Sequence, residues 1–179
     1  MHDALIAQQI VTAIKAGLTV LGLTAEVAQN YQPRSQGGPT GPIIFFHHMI
    51  NVPVGWPAKK QVWNATNLNY DVSEIQNVES HWQFGAMASQ SPSQDSAFTA
   101  ADWCFTARTI LQIDTTIAAL SNVKIGVQRV STVQSTWFTN DSGQNLESPS
   151  FDAIFSHQDP IATTVQGVKT ITATVKKVY

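Results

Sequence analysis

The sequence predicts an α+β fold: a mainly antiparallel β-sheet with two long helices packed on one face, plus a projecting hairpin or C-terminal arm. Three observations carry that prediction. Ile6, Ile10, Ile14, Leu18 and Leu21 recur every three to four residues, the spacing of an apolar stripe along one side of a helix. Val78, Ser80, Trp82, Phe84 and Ala86 alternate, as residues sharing one face of a strand do. Residues 78–132 read strand, long helix, strand, and carry almost nothing reactive, which is the composition of a scaffold.

In chain order, the first helix spans residues 3–21. Asp3 suits its first turn, where a carboxylate meets the positive end of the helix dipole, and Gly22 suits its stop. Residues 26–31 lead into a loop rich in Pro and Gly (Pro33, Gly37, Gly38, Pro39, Gly41, Pro42). Residues 43–50 are apolar and aromatic, a buried strand. Residues 52–57 read as a loop, because Pro53 and Pro57 cannot donate to a ladder and rule out a central strand. A short strand fits around Val62-Trp63, and residues 70–77 carry no clear period.

After the strand at 78–86 and a turn at 91–96, Asp95 or Ser96 can cap a helix of roughly 24 residues. Phe98, Ala101, Phe105 and Ile113 lie along one side of it, with Cys104, Leu111 and Ile117 nearby. Thr109, Thr115 and Thr116 lower helix propensity, so a kink or break is expected near Gln112, and Ser121-Asn122 ends the element. A strand follows at 124–130. Residues 134–150 form a polar excursion, an extended hairpin or long loop with the turn signal Asn140-Asp141-Ser142-Gly143. Residues 151–155 resume a strand. The Thr- and Val-rich segments 161–165 and 170–178, separated by Gln166-Gly167, suit a terminal hairpin or arm.

The chain's 179 residues suffice for one domain with a proper core, and 43% hydrophobic content argues against general disorder. Charged residues make up 12%, about half the usual share, and Ser, Thr, Asn and Gln fill about a third of the chain. Such a surface has little like-charge repulsion to keep copies apart, which favours self-association. The net charge of −2 provides no basic stripe for a phosphate backbone. The single cysteine, Cys104, forms no internal disulfide and fits a reducing compartment. No apolar run approaches the ~18 residues of a membrane span, and the N-terminus does not read as a secretory signal, so a soluble protein made in a cytoplasm is expected.

Candidate chemistry is sparse. His47 and His48 are neighbours on a strand and point to opposite faces, so they cannot chelate one metal. His157 and Asp159 share a face but lack an evident third ligand. His81 alternates with Trp82 and reads as solvent-side. Cys104 sits among Trp103, Phe105 and Ala107, where a thiol is inert packing. Gly37-Gly38 and Gly41 precede a strand, not the helix N-terminus that a phosphate cradle needs. Neither the Asp71 and Glu74 carboxylates nor those of Asp102 and Asp114 stand at a telling spacing. No metal, cofactor or catalytic residue is nominated. The aromatics are more informative: Trp56 lies between Gly55 and Pro57, and Trp137-Phe138 lies in the polar excursion, where large apolar groups either fold back on the core or anchor a partner.

The order of these features resembles the phage neck or tail terminator proteins. It runs from an amphipathic helix ending in Leu21-Gly22, through Gln29-Asn30, Pro33 and a Pro/Gly loop, to an aliphatic strand. Past Pro53 and Pro57 come a middle β region, a strand at 80–89, a second helix at 98–120, and strands at 125–130 and 151–155. The resemblance covers about residues 3–158, so residues 1–160 read as a tail-terminator-like α/β domain and 161–179 as a C-terminal β extension or arm. It implies a non-enzymatic virion protein of the neck: a hexameric ring that ends the tail tube and joins it to the head-side connector. The implied partners are further copies of the chain, the tail tube protein, the connector or adaptor and the sheath. It implies no membrane and no specific nucleic acid, DNA passing only through the ring, and assembly in the host cytoplasm. Trp56, Trp137, Phe138, Val175 and Tyr179 are the candidate interface residues. The other readings are a different neck or tail component (head-completion, sheath-associated or tube-like) and a small ligand-binding or enzymatic domain.

Overall fold

The computed structural model describes residues 3–29, 41–67, 69–88, 98–139 and 145–166. Among them are helices α1 (Asp3–Val20), α2 (Ala100–Gln112) and α3 (Asp114–Asn122). The strands are β1 (Glu26–Gln29), β2 (Ile43–Asn64), β3 (Asn69–Met87), β4 (Gly126–Val130), β5 (Gln134–Thr139) and β6 (Asn145–Gln166). They form one sheet in the order β1-β2-β3-β6-β4, with β5 also on β6. Only the β1–β2 pair is parallel. The expected α+β architecture holds.

The apolar stripe of α1 packs as its spacing dictates: Ile6, Ile10, Ile14 and Leu18 are buried. Leu21, the last residue of the expected stripe, is instead half-exposed because the helix ends at Val20. Gly22 turns the chain at φ +66°, and Leu23 N–H reaches back to the Leu18 carbonyl at 2.9 Å, a left-handed stop that glycine adopts without a Cβ penalty.

The second helical region breaks at Ile113, whose ψ of 136° is extended, so the expected kink is a full interruption between α2 and α3. Two details differ from the sequence reading. The cap is Thr99, not Asp95 or Ser96. Its hydroxyl accepts from Asp102 N–H at 3.2 Å, and the Asp102 carboxylate accepts from Thr99 N–H at 2.9 Å, a reciprocal capping box. The buried face is also a different one. Trp103, Cys104, Ala107, Ile110 and Leu111 are inside, whereas Phe98, Phe105 and Ile113 are partly exposed. The helix carries two apolar arcs, and the one that meets the close approach of α1 at Ile110 takes the core. Phe105 stays outside under the Arg108 guanidinium, 6.0 Å from its ring centroid.

The core lies between these helices and one face of the sheet. The register sets Ile44 opposite Ala86, Phe46 opposite Phe84, Phe84 opposite Phe151, Trp82 opposite Ala153 and Ser80 opposite Phe155. The alternating face read at 78–86 is therefore the buried one. Phe84 stacks on Phe151 at 4.9 Å and on Phe46 at 5.3 Å. Gly17 lets α1 approach α2: a Cβ there would sit 2.4 Å from Cγ2 of the fully buried Ile110. Gly17→Ala should therefore destabilise by about 1–3 kcal/mol through overpacking, outweighing the ~1 kcal/mol that alanine gains in helix propensity. A chemical melt showing Gly17→Ala more stable than the parent would contradict this contact.

The long strands depart most from the sequence reading. β2 runs straight through Pro53 and Pro57, a stretch expected to be a loop. The proline rule is not violated. β1 pairs only with residues 43–46, so beyond them β2 is an edge strand among the described residues, and its outward N–H groups are dispensable. The short strand at Val62-Trp63 is the end of β2, and the unassigned 70–77 is the first half of β3. Likewise 151–155 and 161–165 belong to the single 22-residue β6. On either side of the expected turn at 140–143, which lies outside the described residues, β5 and β6 pair antiparallel, with Gln134 opposite Ser150 and Thr139 opposite Asn145.

Candidate assembly interface

Past the helices, β2, β3 and β6 continue together as a three-stranded arm. β3 pairs on one side with β2 out to Asn69↔Asn64, and on the other with β6 out to Asn69↔Gln166. The portion from Asn69 to Asn77 extends about 30 Å at ~3.4 Å per residue. Asn64 closes its tip, its side-chain oxygen accepting from the backbone N–H of Thr66 and Asn67 at 3.1 and 3.2 Å. Every β2 residue from Met49 to Trp63 is exposed. Both faces of β2 are thus uncovered, and they are apolar. Val52 and Val54 lie on the face turned from the helices, and Trp63 packs edge-on to Tyr70 at 4.9 Å on the other. Lys59 pairs with Glu74 at 2.9 Å, but both are half-exposed and such pairs add little stability.

Trp56 stands out on this arm. The β2–β3 register jumps between Val54 and Ala58, so Gly55, Trp56 and Pro57 bulge opposite Gln76. Gly55 adopts φ +71°, which the bulge needs and which a side chain would strain. Gln76 Nε2 donates to the Val54 and Gly55 carbonyls at 2.9 and 3.2 Å and holds the bulge in shape. The indole is 93% exposed, so of the two readings of Trp56 the core of this chain is ruled out. Trp137 and Phe138 lie in β5, on the hairpin with β6; their side chains lie outside the described residues. Val175 and Tyr179 also lie outside them. Sequence reasoning expected a projecting arm but missed the part of it that β2 and β3 form, although the run of β-branched and aromatic residues through Val52, Val54, Val62, Trp63 and Tyr70 was a signal that the prolines masked.

A polar network ties the base of the arm to the start of α1. Ser80 donates to Asn51 Oδ1, which also accepts from His48 Nε2 at 3.0 Å, while Asn51 Nδ2 donates to Asp3 Oδ1 at 3.0 Å. With its proton given to Asn51, the Ser80 hydroxyl can only accept from His157, whose Nε2 is 3.1 Å away. The Nε2–H tautomer of His157 fits that geometry, and the ring also meets the Gln158 backbone. Burial holds the imidazole pKa below its ordinary 6.5, because a second proton would place a charge there unsolvated. The linkage has a definite sign: a neutral-preferring histidine adds stability above pH 6.5 that drains away as pH falls through 6.5 toward the lower folded value. His157→Gln should accordingly flatten the loss of melting temperature between about pH 7 and pH 5. An unchanged acid slope would show that His157 does not titrate across unfolding.

Ser80 and His157 stand at the distance of a nucleophile and its base, yet the serine is fully buried and its proton is committed to Asn51. An open cleft of about 540 Å³ nearby is lined by Asn77, Glu79, Lys124, Gln128 and His157 among others. Among the described residues no three His, Cys, Asp or Glu side chains converge on a metal position, and no helix is long and apolar enough to cross a membrane. Burial pushes the Cys104 thiol up to about 12, with the Glu147 carboxylate adding to the effect, so it is neither nucleophile nor ligand at neutral pH. His47 and His48 pair with Gln83 and Trp82 on opposite faces, as expected.

Comparison with known proteins gives one family. The model of the E217 gateway protein gp29 matches residues 5–167. No curated protein matches the chain. Among solved structures, the cryo-EM sheath/tube terminator of an extracellular contractile injection system, PVC, in its extended state is similar over 96% of this chain, at 8% identity and a TM-score of 0.48. This chain covers 63% of that one.

Proposed function

Because the chain belongs to the E217 gateway protein gp29 family, a phage neck and tail family, we propose that it forms a ring at the neck, ending the tail tube and joining it to the head-side connector. The resemblance drawn from the order of helices and strands thus led to the right kind of protein, a structural component of the phage neck or tail.

The observation that carries the finer reading is the arm. A three-stranded sheet about 30 Å long, apolar on both faces of its edge strand and carrying an exposed indole near its base, is costly to leave in water. Copies placed head to tail would cover it, and a heterologous contact of that kind closes into a ring when its rotation divides the circle. Six copies, with DNA passing through the centre, is the stoichiometry we assign. The tail tube protein, the connector and the sheath are the neighbours, and assembly takes place in the host cytoplasm. The weakly charged, amide-rich surface suits close packing among protein neighbours.

Electron microscopy of purified particles and of the isolated protein is the test. The expected result is density for this chain at the head–tail junction and a closed oligomer on its own or on tail tubes. A chain that stays monomeric in light scattering at micromolar concentration and is missing from particles would remove the proposal.

A further inference from the structure

We infer that the arms of neighbouring copies join edge to edge into one continuous sheet: the outer edge of β2 over residues 59–63 of one copy pairs, in parallel, with the outer edge of β6 over residues 162–166 of the next. This pairing rests on the head-to-tail contact proposed above, and not on where in the particle that contact is made.

Two prolines show which backbone groups point out of the arm. Proline has no N–H, so within an antiparallel ladder it sits in a pair that is not hydrogen-bonded to its partner. Pro53 pairs with Val78, so the even-numbered residues of β3 turn their N–H and C=O groups away from β2, towards β6. Pro160 pairs with Ile75, so the odd-numbered residues turn theirs away from β6, towards β2. The two prolines agree. Followed to the tip, the alternation makes the backbone groups of Lys59, Gln61 and Trp63, opposite Glu74, Val72 and Tyr70, face out from β2. Those of Ala162, Thr164 and Gln166, opposite Ser73, Asp71 and Asn69, face out from β6. No described strand lies beyond either edge there: β1 pairs only with residues 43–46, and the β4 ladder stops at Gly126↔Ser156.

Prolines also set where the open edges begin. Pro57 lies in the bulge opposite Gln76 and Pro160 lies opposite Ile75, so both edges are blocked at one level of the arm and open from there to its tip. Two edges on opposite sides, open over the same span, suit a repeating contact that joins one to the other. β2 and β6 both run antiparallel to β3 and so run parallel to each other. Arms set side by side by a rotation therefore meet with these edges parallel. Gln61 is level with Thr163, since both pair with Val72. In a parallel ladder a residue bonds to the two that flank its opposite number, here the C=O of Ala162 and the N–H of Thr164, which are the groups that face out. The level register is thus one whose hydrogen bonds close. Lysine on an edge commonly deters such pairing, but the Lys59 ammonium is already matched by Glu74 at 2.9 Å.

Proline substitution at the outward positions is the test. Gln61→Pro removes an outward N–H and leaves the β2–β3 ladder whole, and Ala162→Pro does the same on β6. Each variant should keep the parent's melting temperature and assemble about tenfold or more weakly in analytical ultracentrifugation. An equimolar mixture of the two, in which each retains the edge the other lacks, should form a two-chain complex and nothing larger. Amide exchange on the parent itself gives a second reading free of any folding defect. The N–H groups of residues 59, 61, 63, 162, 164 and 166 should exchange about tenfold or more slowly in the assembly than in the dilute monomer. A parent that stays monomeric would overturn this pairing together with the head-to-tail contact. A parent that assembles while the proline variants assemble equally well, while their mixture stays monomeric, or while those amides exchange alike in both states, would overturn the edge pairing alone.

Discussion

Replacing Phe84 by alanine is expected to lower the stability of the folded chain by about 3–5 kcal/mol, the range for a large aromatic removed from a close-packed core. The side chain is fully buried at the centre of the sheet's inner face. It contacts rings from both neighbouring strands: Phe46 on β2 at 5.3 Å, and Phe151 and Phe155 on β6 at 4.9 and 6.4 Å. None of these can move into the vacated space without dragging its strand, so the cavity stays open and its cost is added to the lost transfer energy. For a domain whose total stability is of the usual 5–15 kcal/mol, this is a large fraction. Urea unfolding followed by tryptophan fluorescence measures it. A loss below about 1 kcal/mol would mean that the stacked cluster does not form the core.

Trp56→Ala is expected to have the opposite signature: unchanged monomer stability, within about 0.5 kcal/mol, and assembly weakened at least tenfold. The indole is 93% exposed and contributes almost nothing to the fold of an isolated chain. It is nevertheless held in a fixed position. Gly55 at φ +71° and the Gln76 clasp on the Val54 and Gly55 carbonyls keep the bulge in one conformation, so little entropy remains to be lost when the side chain docks. A preorganised tryptophan on an apolar strand has the character of an interface anchor. Sedimentation or light scattering of the two proteins at matched concentrations, beside their melting curves, separates the two effects. A Trp56→Ala chain that assembles as well as the parent would place the contact elsewhere on the arm, and one that loses stability as a monomer would show the indole packing on its own chain.

These two residues also show how legible the chain is. Phe84 could be read directly: alternation over Val78, Ser80, Trp82, Phe84 and Ala86 has one physical meaning, and the side of the strand it marks is the buried side. The stripe of α1, its glycine stop and the interruption of the second helical region near Gln112 were legible for the same reason, since period, propensity and capping are local. The face of α2 was not. Phe98, Ala101 and Phe105 compete with Trp103, Ala107 and Ile110 for the inside, and only the approach of α1 at Gly17, which places its backbone against Ile110, decides between them. The part of the arm that β2 and β3 form was hidden by Pro53 and Pro57. Proline excludes a central strand from any sequence, but whether a strand is central depends on its neighbours, and β1 is four residues long.

Taken alone, the sequence determined the class of fold, the alternating inner face of the sheet and the first helix, because each of these follows from spacings within a few residues; the place among phage neck and tail proteins came from a resemblance in the order of features along most of the chain. The tertiary structure decided which of two apolar arcs on α2 is inside, where β2 becomes an edge, and that Trp56 stands outside the core on a braced bulge. Those outcomes depend on which elements lie side by side, and the packing of distant segments leaves no periodic trace in any one of them.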